Sequence, residues 1–491
     1  MEQLIIFIAQ KESNYLMNNE LILNRKEIYQ EEHDKMLKMM LEERFFKIWK
    51  NKELREDSNV RDFSLIDDIG LELFITSTCN QHCEYCYLVK HGNELYPQEC
   101  NNPETILHNL NILFDWFIEN DMYIPRIDLF TGEIWHAQFG LDILDLIYKK
   151  ILEGFKTEFI MIPSNCSFLK DPVQTGRIEQ RLRKFANKNI RIAFSISIDG
   201  KIIEEQARPH NDASVNDDAF YERMFLFAKH HEFYFHPMVA AIDVDRWIEN
   251  HKWWVKECEK YDIDPDQCIM MLEVRNNNWT EESIKHYNEF MDYLLERYLS
   301  KYSTEALAYS LIMDPNYRKR DALTGYIPYF PGMADSFPGC SVSLELTVRL
   351  GDLAICPCHR TAYKKYLYGH FKVENDKITD IVSNNVYMAE RILFMNNNLC
   401  SLKCDTCPFN PVCIKGCFGS QLETNDDPFV PIESVCNFYY HKISHIFYKL
   451  KEYGIDAIWK TISPYEPGYT RAQEFLAIMN RVEEEYGLGE N

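Results

Sequence analysis

Three cysteines early in the chain have a spacing that suits a metal cluster. They occur in the run Cys79-Asn-Gln-His-Cys83-Glu-Tyr-Cys86, which has the spacing C-x3-C-x2-C. Three thiolates are one too few for the closed four-coordinate zinc site that holds a fold together. A cubic iron–sulfur cluster held by three thiolates keeps one iron open for another ligand. The run therefore predicts an iron–sulfur site with one open coordination position.

A second group of cysteines lies between residues 340 and 436. Five of them form the array C-x2-C-x5-C-x3-C-x18-C, namely Cys404, Cys407, Cys413, Cys417 and Cys436. Three more lie around Gly351, namely Cys340, Cys356 and Cys358. Clustered cysteines in a large chain with many Tyr and Phe residues indicate metal binding or catalysis rather than a disulfide scaffold. A pair of zinc knuckles is disfavoured because this array has a single C-x2-C pair.

Strands and helices that alternate along the chain must position these thiols. Six strand candidates are separated by helical stretches: 71–76, 126–130, 158–163, 190–198, 235–242 and 269–275. Such alternation predicts an α/β fold with a parallel sheet and right-handed crossovers. Six units are too few for a closed eight-stranded barrel, so we expect a partial (β/α)6 TIM-like barrel. The first strand ends just before Cys79, and this class of fold places its chemistry at the carboxyl ends of strands.

Composition limits the partners and the location. The 491 residues include 53 Lys and Arg against 76 Asp and Glu, which gives a net charge of −23. The negative electrostatic field of such a chain disfavours binding of nucleic acid, which is also negatively charged. The sequence contains no run of about 18 or more apolar residues, which a membrane span would need, and its first residues do not form a signal peptide. We therefore expect a cytoplasmic protein with no nucleic-acid and no membrane partner.

The C-x3-C-x2-C run, with the aromatic Tyr85 before its last cysteine, resembles the signature of the radical S-adenosylmethionine (SAM) enzymes. The six strand–helix units fit the partial barrel of that family. The resemblance implies that Cys79, Cys83 and Cys86 hold a [4Fe–4S] cluster whose open iron binds SAM. Reductive cleavage of SAM then gives a 5′-deoxyadenosyl radical that abstracts a hydrogen atom. The resemblance also implies a reductant such as flavodoxin or ferredoxin.

Shorter motifs suggest where SAM binds. Thr131-Gly132-Glu133 is similar to the Gly-Gly-Glu-Pro element of the family, although the first Gly and the Pro are missing. The end of the fourth strand and the turn after the third are similar to the family's ribose contact and its Thr-Asn-Gly turn. The implied SAM contacts are Tyr85, Thr131, Gly132, Glu133, Ser164, Asn165, Ser195, Ser197 and Arg208. Ordinary strand-end turns and a surface arginine remain the alternative interpretation.

The second cysteine group resembles the SPASM extension of radical SAM enzymes, which usually carries two auxiliary [4Fe–4S] clusters. The implied outer cluster has the ligands Cys404, Cys407, Cys413 and Cys436. The implied inner cluster has Cys340, Cys417 and one cysteine near Gly351. The Gly-x4-Cys count favours Cys356, whereas the Pro-Cys-His-Arg wording favours Cys358. Either the spare thiol is a fourth ligand, or the inner cluster also has an open iron.

The chain is thus expected to contain four units. We predict an N-terminal appendage at 1–66, the partial barrel at 67–301, the SPASM domain at 302–440 and a helical tail at 441–491. Within the appendage we expect strands near 3–8 and 20–23 and a helix near 26–50. The first of these strands is a candidate edge for docking a peptide leader. A helical cap on the barrel is the simpler alternative.

Radical SAM enzymes with this extension mostly modify ribosomally made peptides. The resemblance therefore implies a maturase that forms a thioether or carbon–carbon crosslink in a precursor peptide with a leader. Alternatives are a sulfatase-type maturase that oxidises Cys or Ser to formylglycine, and a non-catalytic iron–sulfur or zinc regulatory protein. An oxidative outcome needs a proton acceptor. The candidate bases are Asp199, Glu273, Asp243 and Asp352, and Arg275 lies near the same strand end as Glu273.

Overall fold

The computed structural model describes residues 19–51, 69–312, 342–393 and 402–486, without Thr131, Gln138, 210–215, Asn277, 343–344, Pro411 and 414–415. The predicted strand near 3–8 lies outside these residues. So do Thr131 and Cys340, which the sequence assigned to SAM and to the inner cluster.

Eleven strands occur in the described residues: β1 (Gly70–Phe74), β2 (Arg126–Phe130), β3 (Phe159–Ser164), β4 (Arg191–Ile196), β5 (Glu232–Phe235), β6 (Met238–Val239), β7 (Leu272–Glu273), β8 (Glu345–Arg349), β9 (Ala354–Cys356), β10 (Gly369–Glu374) and β11 (Lys377–Ser383). Nine of them form one sheet in the order β11-β10-β9-β8-β1-β2-β3-β4-β5, and β6 pairs with β7. Strands β1 to β5 are parallel to one another.

Helices connect and cover the strands. In chain order they are α1 (Asn19–Leu41), α2 (Lys47–Lys50), α3 (Tyr87–Leu95), α4 (Pro103–Glu119), α5 (Gly140–Glu153), α6 (Pro172–Ala186), α7 (Glu204–Ala207), α8 (Asp218–His230), α9 (Trp247–Lys260), α10 (Pro265–Cys268), α11 (Glu281–Leu299), α12 (Thr304–Ile312), α13 (Val386–Leu393), α14 (Leu402–Asp405), α15 (Phe418–Asn425), α16 (Glu433–Glu452), α17 (Ile455–Lys460) and α18 (Tyr469–Tyr486). Helix α16 continues across the predicted border at 440/441.

The core lies between the parallel sheet and its helices. All five residues of β1 are buried, as expected for a parallel strand that is covered on both faces. Leu71 and Leu73 pack in the same apolar core as Leu113 and Phe117 of α4. The opposite face of β1 presents Glu72, which is 1% exposed. The parallel sheet with its connecting helices confirms the predicted α/β class.

The fifth predicted strand, 235–242, is divided in two. Residues 232–235 form β5 and pair with β4, while Met238 and Val239 leave the large sheet and pair with β7. Pro237 stands between the two pieces. Proline has no N–H to donate to a strand ladder, so it interrupts a central strand. The sixth strand unit nevertheless follows the edge of β5, since Phe235 bridges Ile269 in parallel and the Met270 N–H bonds to the Phe235 carbonyl at 2.8 Å.

The predicted strand near 20–23 is wrong, because these residues belong to helix α1. The run Glu20-Leu-Ile-Leu is too short to specify a strand, and α1 has neither Gly nor Pro in its 23 residues. The helical stretch continues through a π-helical turn to α2. Trp49 of α2 is fully buried and donates from Nε1 to the Ile69 carbonyl at 3.1 Å. This stretch therefore packs on the start of β1.

The cysteine-rich segment shares a sheet with the predicted barrel. Strand β8 pairs with β1 in parallel, and β9, β10 and β11 continue the sheet as antiparallel hairpins. Sequence reasoning missed these four strands. Asn375 and Asp376 have φ values of 52° and 60°, which are typical of a two-residue hairpin turn between alternating strands. That turn signal was present in the sequence.

In the parts of the chain that the structure describes, no helix has the length and apolar character needed to cross a bilayer.

Candidate active site

The C-x3-C-x2-C motif forms a loop at the carboxyl end of β1. The loop ends where Cys86 precedes the first residue of α3, and the Cys86 N–H bonds to the Cys83 carbonyl at 3.0 Å. Burial raises the pKa of both Cys79 and Cys83 to about 12, and the neighbouring thiols add to the effect. A bound metal supplies the positive charge that stabilises such thiolates. The loop thus gathers three thiols where a parallel sheet places its chemistry.

Gly132 and Glu133 hold the start of this loop from β2. The N–H groups of Gly132 and Glu133 each bond at 2.9 Å to carbonyls of Thr76 and Thr78, respectively. A Cβ on Gly132 would lie 2.2 Å from the Thr78 carbonyl oxygen, so only glycine allows this approach. The glycine that the sequence assigned to SAM therefore has a structural contact with the cysteine loop.

Glu133 connects the loop to the end of β3. Its carboxylate accepts hydrogen bonds from Ser164 Oγ at 3.0 Å and from the Asn165 N–H at 2.7 Å. Burial raises the pKa of Glu133 to about 7. Asn165 Nδ2 in turn donates to Asn80 Oδ1 at 2.9 Å, and Asn80 follows Cys79 directly. Three of the predicted SAM residues thus form one network with the first cysteine.

Tyr85 connects the other half of the loop to the end of β4. Its hydroxyl donates to Asp199 Oδ2 at 3.0 Å, and the Arg208 guanidinium lies 5.4 Å from the ring centre. Arg208 Nε is 2.8 Å from Asp199 Oδ2, and Nη1 donates to the Ser197 carbonyl at 2.8 Å. Burial raises the pKa of Asp199 to about 6 against the opposing charge of Arg208. The buried Asp199–Arg208 pair therefore supports the cysteine loop through its contacts with Tyr85.

The structure brings most of the predicted SAM residues to one edge of the sheet. Ser195 differs, since its hydroxyl lies 3.3 Å from His236 Nδ1 and joins neither network. Two buried oxygens near this edge, Asn276 Oδ1 and Asp243 Oδ2, have no hydrogen-bond partner among the described residues. Asn276 also donates from Nδ2 to the Tyr85 carbonyl at 3.3 Å. Asn276 offers an amide acceptor and the protonated Asp243 offers a donor, which suits a ligand with ammonium and carboxylate groups, so these residues fit SAM.

The second cysteine array surrounds a cavity of about 210 Å³. Its walls include all five cysteines of the array: Cys404, Cys407, Cys413, Cys417 and Cys436. Arg275, just past the end of β7, lines the same cavity. Burial opposes ionisation of Cys417, but the guanidinium groups of Arg360 and Arg275 outweigh it and lower the pKa of this thiol. The cavity has the thiol lining that a cluster requires.

Within the described ranges, no three His, Cys, Asp or Glu side chains converge as ligands of one metal ion. The thiolates of a cubic cluster bind different irons and therefore surround a volume rather than meet at a point. The loop around Cys83 and the cavity around Cys413 both have this spread arrangement. The thiols at both places fit clusters better than a single ion.

A buried ion pair attaches the cavity to the barrel. Glu273 of β7 contacts the ammonium of Lys442 on α16, and Tyr287 donates its hydroxyl to the same carboxylate at 2.6 Å. Burial opposes ionisation of Glu273, but Lys442 outweighs it and lowers the pKa of the carboxyl group. Cys436 lies in the first turn of α16, six residues before Lys442. Helix α16 therefore fixes the position of this thiol of the array relative to β7.

The four candidate bases have different surroundings. Asp199 and Glu273 are buried and ion-paired, as described above. Asp352 is 30% exposed and accepts two bonds from Arg349, at 3.0 and 2.7 Å. Asp243 is fully buried, and its Oδ1 accepts from Trp247 Nε1 at 3.0 Å. Burial raises the pKa of Asp243 to about 8, which makes it a hydrogen-bond donor at neutral pH.

Sequence reasoning missed a buried pair beside the cysteine loop. His359 Nδ1 lies 2.8 Å from Glu72 Oε2, and its ring stacks on Phe130 with the centroids 3.8 Å apart. The same ring is 5.3 Å from that of Tyr87, which follows Cys86. The Pro-Cys-His-Arg motif, which favours Cys358 as a ligand, also contains this histidine, so the sequence did carry a signal for it.

Comparison with solved structures gives the fold. Structures of native anSMEcpe with bound AdoMet, without and with the Kp18Cys peptide, share 14% identity with the chain and have a TM-score of 0.50. The alignment covers 78% of this chain and 98% of that one. The chain has the fold that the resemblance predicted. The partial TIM-like barrel and the cysteine-rich C-terminal part are thereby confirmed at the level of the fold.

A structure of SuiB from Streptococcus suis bound to precursor peptide SuiA is also similar, with 13% identity, 75% of each chain covered and a TM-score of 0.41. No protein-family model and no curated protein matches the chain.

Proposed function

We propose that the chain is a radical SAM enzyme that forms a thioether or carbon–carbon crosslink in a ribosomally made peptide. The observation that supports this most is the loop Cys79–Cys86. It holds three thiols at the carboxyl edge of a parallel sheet, and strand-end residues of β2, β3 and β4 support it. When bound, a [4Fe–4S] cluster and SAM would supply a 5′-deoxyadenosyl radical.

The residues around the loop have separate tasks in this proposal. Cys79, Cys83 and Cys86 hold the cluster, and the Asp199–Arg208 pair keeps Tyr85 and the second half of the loop in place. Glu133 keeps the first half in place through Asn165. Because these carboxylates already accept bonds from protein groups, the groups left for a bound SAM are the unpartnered oxygens of Asn276, an acceptor, and of the protonated Asp243, a donor.

The auxiliary array has the task of accepting an electron from the substrate. Its five-cysteine cavity borders the end of β7 through Arg275, which places it next to the carboxyl edge of the barrel. A crosslink removes two hydrogens from the peptide, so after the first hydrogen atom a proton has to leave to a base and a second electron to the auxiliary array. In this proposal the outer cluster is held by Cys404, Cys407, Cys413 and Cys436.

The partners follow from the same chemistry. The substrate is a precursor peptide with a leader, and the electron for SAM cleavage comes from a flavodoxin or ferredoxin. Both partners belong to the cytoplasm, where thiols stay reduced.

The decisive experiment is anaerobic reconstitution with iron and sulfide, followed by reduction and addition of SAM. We expect 5′-deoxyadenosine and about twelve irons per chain, since three cubic clusters hold four irons each. Absence of 5′-deoxyadenosine would contradict the radical mechanism and favour the non-catalytic alternative. About four irons would contradict the auxiliary pair.

The product separates the two enzymatic possibilities. A precursor peptide from a neighbouring reading frame is incubated with the reduced enzyme and analysed by tandem mass spectrometry. A crosslink appears as the loss of two hydrogens, with no fragmentation between the joined residues. A formylglycine product appears instead as an aldehyde that reacts with a hydrazide, and it would replace the crosslinking proposal.

A further inference from the structure

The four candidate bases are poorly suited to take a proton from a peptide. Asp199 and Glu273 are held in buried ion pairs, and Asp352 accepts two bonds from Arg349. Asp243 keeps its own proton at neutral pH, because burial raises its pKa to about 8. A crosslink nevertheless requires a base, since a proton leaves the peptide together with the second electron. The acceptor is therefore to be sought among other side chains at this edge of the sheet.

A histidine at the end of β5 has a suitable position. His236 directly follows Phe235, the last residue of β5, and its N–H bonds to the Ile196 carbonyl at the end of β4 at 2.8 Å. Phe235 packs on Trp254 of α9, with the ring centroids 4.6 Å apart. Successive side chains of a strand point to opposite faces, so His236 is directed away from the helices, to the inside of the barrel. Its Nδ1 there lies 3.3 Å from Oγ of Ser195.

Two arginines show that His236 lies between the two groups of thiols. Burial lowers the pKa of the imidazole to about 4, and the positive charges of Arg208 and Arg275 add to the effect. The Arg208 guanidinium lies 5.4 Å from the ring centre of Tyr85 in the cysteine loop. Arg275 lines the cavity of the five cysteines. A peptide that gives a hydrogen atom on one side and an electron on the other has to bind between these two places.

The imidazole is in the right state to accept a proton. With a pKa of about 4 it is neutral at physiological pH. A hydrogen bond from Nδ1 to Ser195 Oγ selects the tautomer whose Nε2 carries a lone pair. Within the described residues, Nε2 has no hydrogen-bond partner. A base of this strength is sufficient, because loss of an electron makes the substrate strongly acidic.

We propose that His236 is the catalytic base of the crosslinking reaction and that its Nε2 takes the proton from the peptide. The peptide first loses a hydrogen atom. It then loses one electron to the auxiliary array and one proton to Nε2, while the new S–C or C–C bond forms. These losses add up to the two hydrogens that a crosslink removes. The imidazolium, which Arg208 and Arg275 destabilise, passes the proton to solvent. The inference rests on the proposed function, because it presupposes that reaction.

The test compares His236→Asn with the matched variant His251→Asn. Asparagine keeps a polar group for Ser195 but takes up no proton. His251 is also buried, and burial lowers its pKa to about 3, but its Nδ1 lies 3.3 Å from the Tyr293 hydroxyl of α11, outside the barrel mouth. The reconstituted and reduced proteins receive SAM and the precursor peptide, labelled uniformly with deuterium. Mass spectrometry then measures the crosslinked peptide and the deuterium in 5′-deoxyadenosine.

The base and the radical step are expected to separate. His236→Asn should still form 5′-deoxyadenosine that carries deuterium from the peptide, because hydrogen abstraction does not need the imidazole. The amount of crosslinked peptide per 5′-deoxyadenosine should fall by about a hundredfold or more, since a positioned base contributes about 10²–10⁴ in rate. His251→Asn should match the parent in both measurements.

Three outcomes would overturn the inference. Unchanged crosslinking in His236→Asn would show that another group takes the proton, and joint loss of 5′-deoxyadenosine and crosslink would place His236 in SAM cleavage instead. An equal loss of crosslink in His251→Asn would reduce the effect to one on the fold. If thermal unfolding shows that His236→Asn is misfolded, His236→Gln takes its place. Failure of the proposed function is recognised separately, since the parent itself would then form no 5′-deoxyadenosine or no crosslink.

Discussion

The cysteine loop and the auxiliary cavity hold their thiols by different means. The loop Cys79–Cys86 lies on the edge of a parallel sheet, and polar side chains from three strand ends support it. The cavity has walls made of short helical segments and the start of α16, with apolar side chains such as Phe409, Val435 and Ile443 between the thiols. One region depends on hydrogen bonds to a rigid sheet, and the other depends on packing.

Both regions nevertheless use a buried ion pair to join separate parts of the chain. Asp199–Arg208 joins the end of β4 to the residues under Tyr85, and Glu273–Lys442 joins β7 to α16. The first pair contacts the cysteine loop directly, whereas the second acts through a helix. Similar buried pairs thus support the two sites, one by direct contact and the other through a helix.

The largest expected effect comes from the loop. Cys83→Ala should abolish 5′-deoxyadenosine formation, because it removes one of three thiolates of the primary cluster. Iron should fall by about four per chain, while the auxiliary signals remain. Cys258→Ala, a buried cysteine of α9 outside both arrays, is the control and should retain iron and activity. Loss of the auxiliary signals in Cys83→Ala would show that the two regions are not independent.

The ion pairs provide the second test. Arg208→Ala and Lys442→Ala each leave a buried carboxylate without its cation, which costs about 3–5 kcal/mol of unfolding free energy. We expect Arg208→Ala to lose SAM cleavage as well, because Tyr85 and the loop lose their support. Lys442→Ala should still form 5′-deoxyadenosine. Denaturant titration measures stability and chromatography measures the nucleoside. Equal losses of SAM cleavage in the two variants would show that the two ion pairs do not differ in how they support the cysteine loop.

The third prediction concerns the pH dependence of stability that Asp243 causes. The pKa of Asp243 in the fold is about 8, above the value near 4 of an unfolded aspartate. The fold therefore binds an extra proton between these values, and stability falls as pH rises through this window. Asp243→Asn mimics the protonated carboxyl group, so its Tm should exceed that of the parent by a few degrees at pH 8, and the difference should shrink steadily as pH falls to 4. Parallel Tm profiles for the two proteins would contradict the assignment.

The smallest effect is expected from Tyr85→Phe. The change removes the hydroxyl bond to Asp199 but keeps the ring beneath Arg208, so stability should fall by about 1 kcal/mol. SAM cleavage should decrease only a few-fold. Tyr448→Phe on the exposed side of α16 removes a surface hydroxyl bond to Glu452 and should leave both properties unchanged. If Tyr85→Phe lost as much SAM cleavage as Arg208→Ala, the tyrosine hydroxyl rather than the ion pair would be the main support of the loop.

Local sequence patterns predicted much of the fold. The alternation in 126–130 and 190–198 predicted β2 and β4 nearly at their observed bounds, because buried parallel strands have recognisable runs. The fifth strand could not be placed correctly, since Pro237 redirects the chain into a second small sheet. The pairing of β8 with β1 joins residues about 275 positions apart, and no local pattern encodes such a pairing.

Spacing by itself predicted two groups of thiols, because clustered cysteines in a large chain indicate metal binding. Tertiary structure decided what supports them. Arg208 and Asp199, Lys442 and Glu273, and Arg360 and Glu423 meet only after the chain has folded, and each pair is buried where its charge requires a partner.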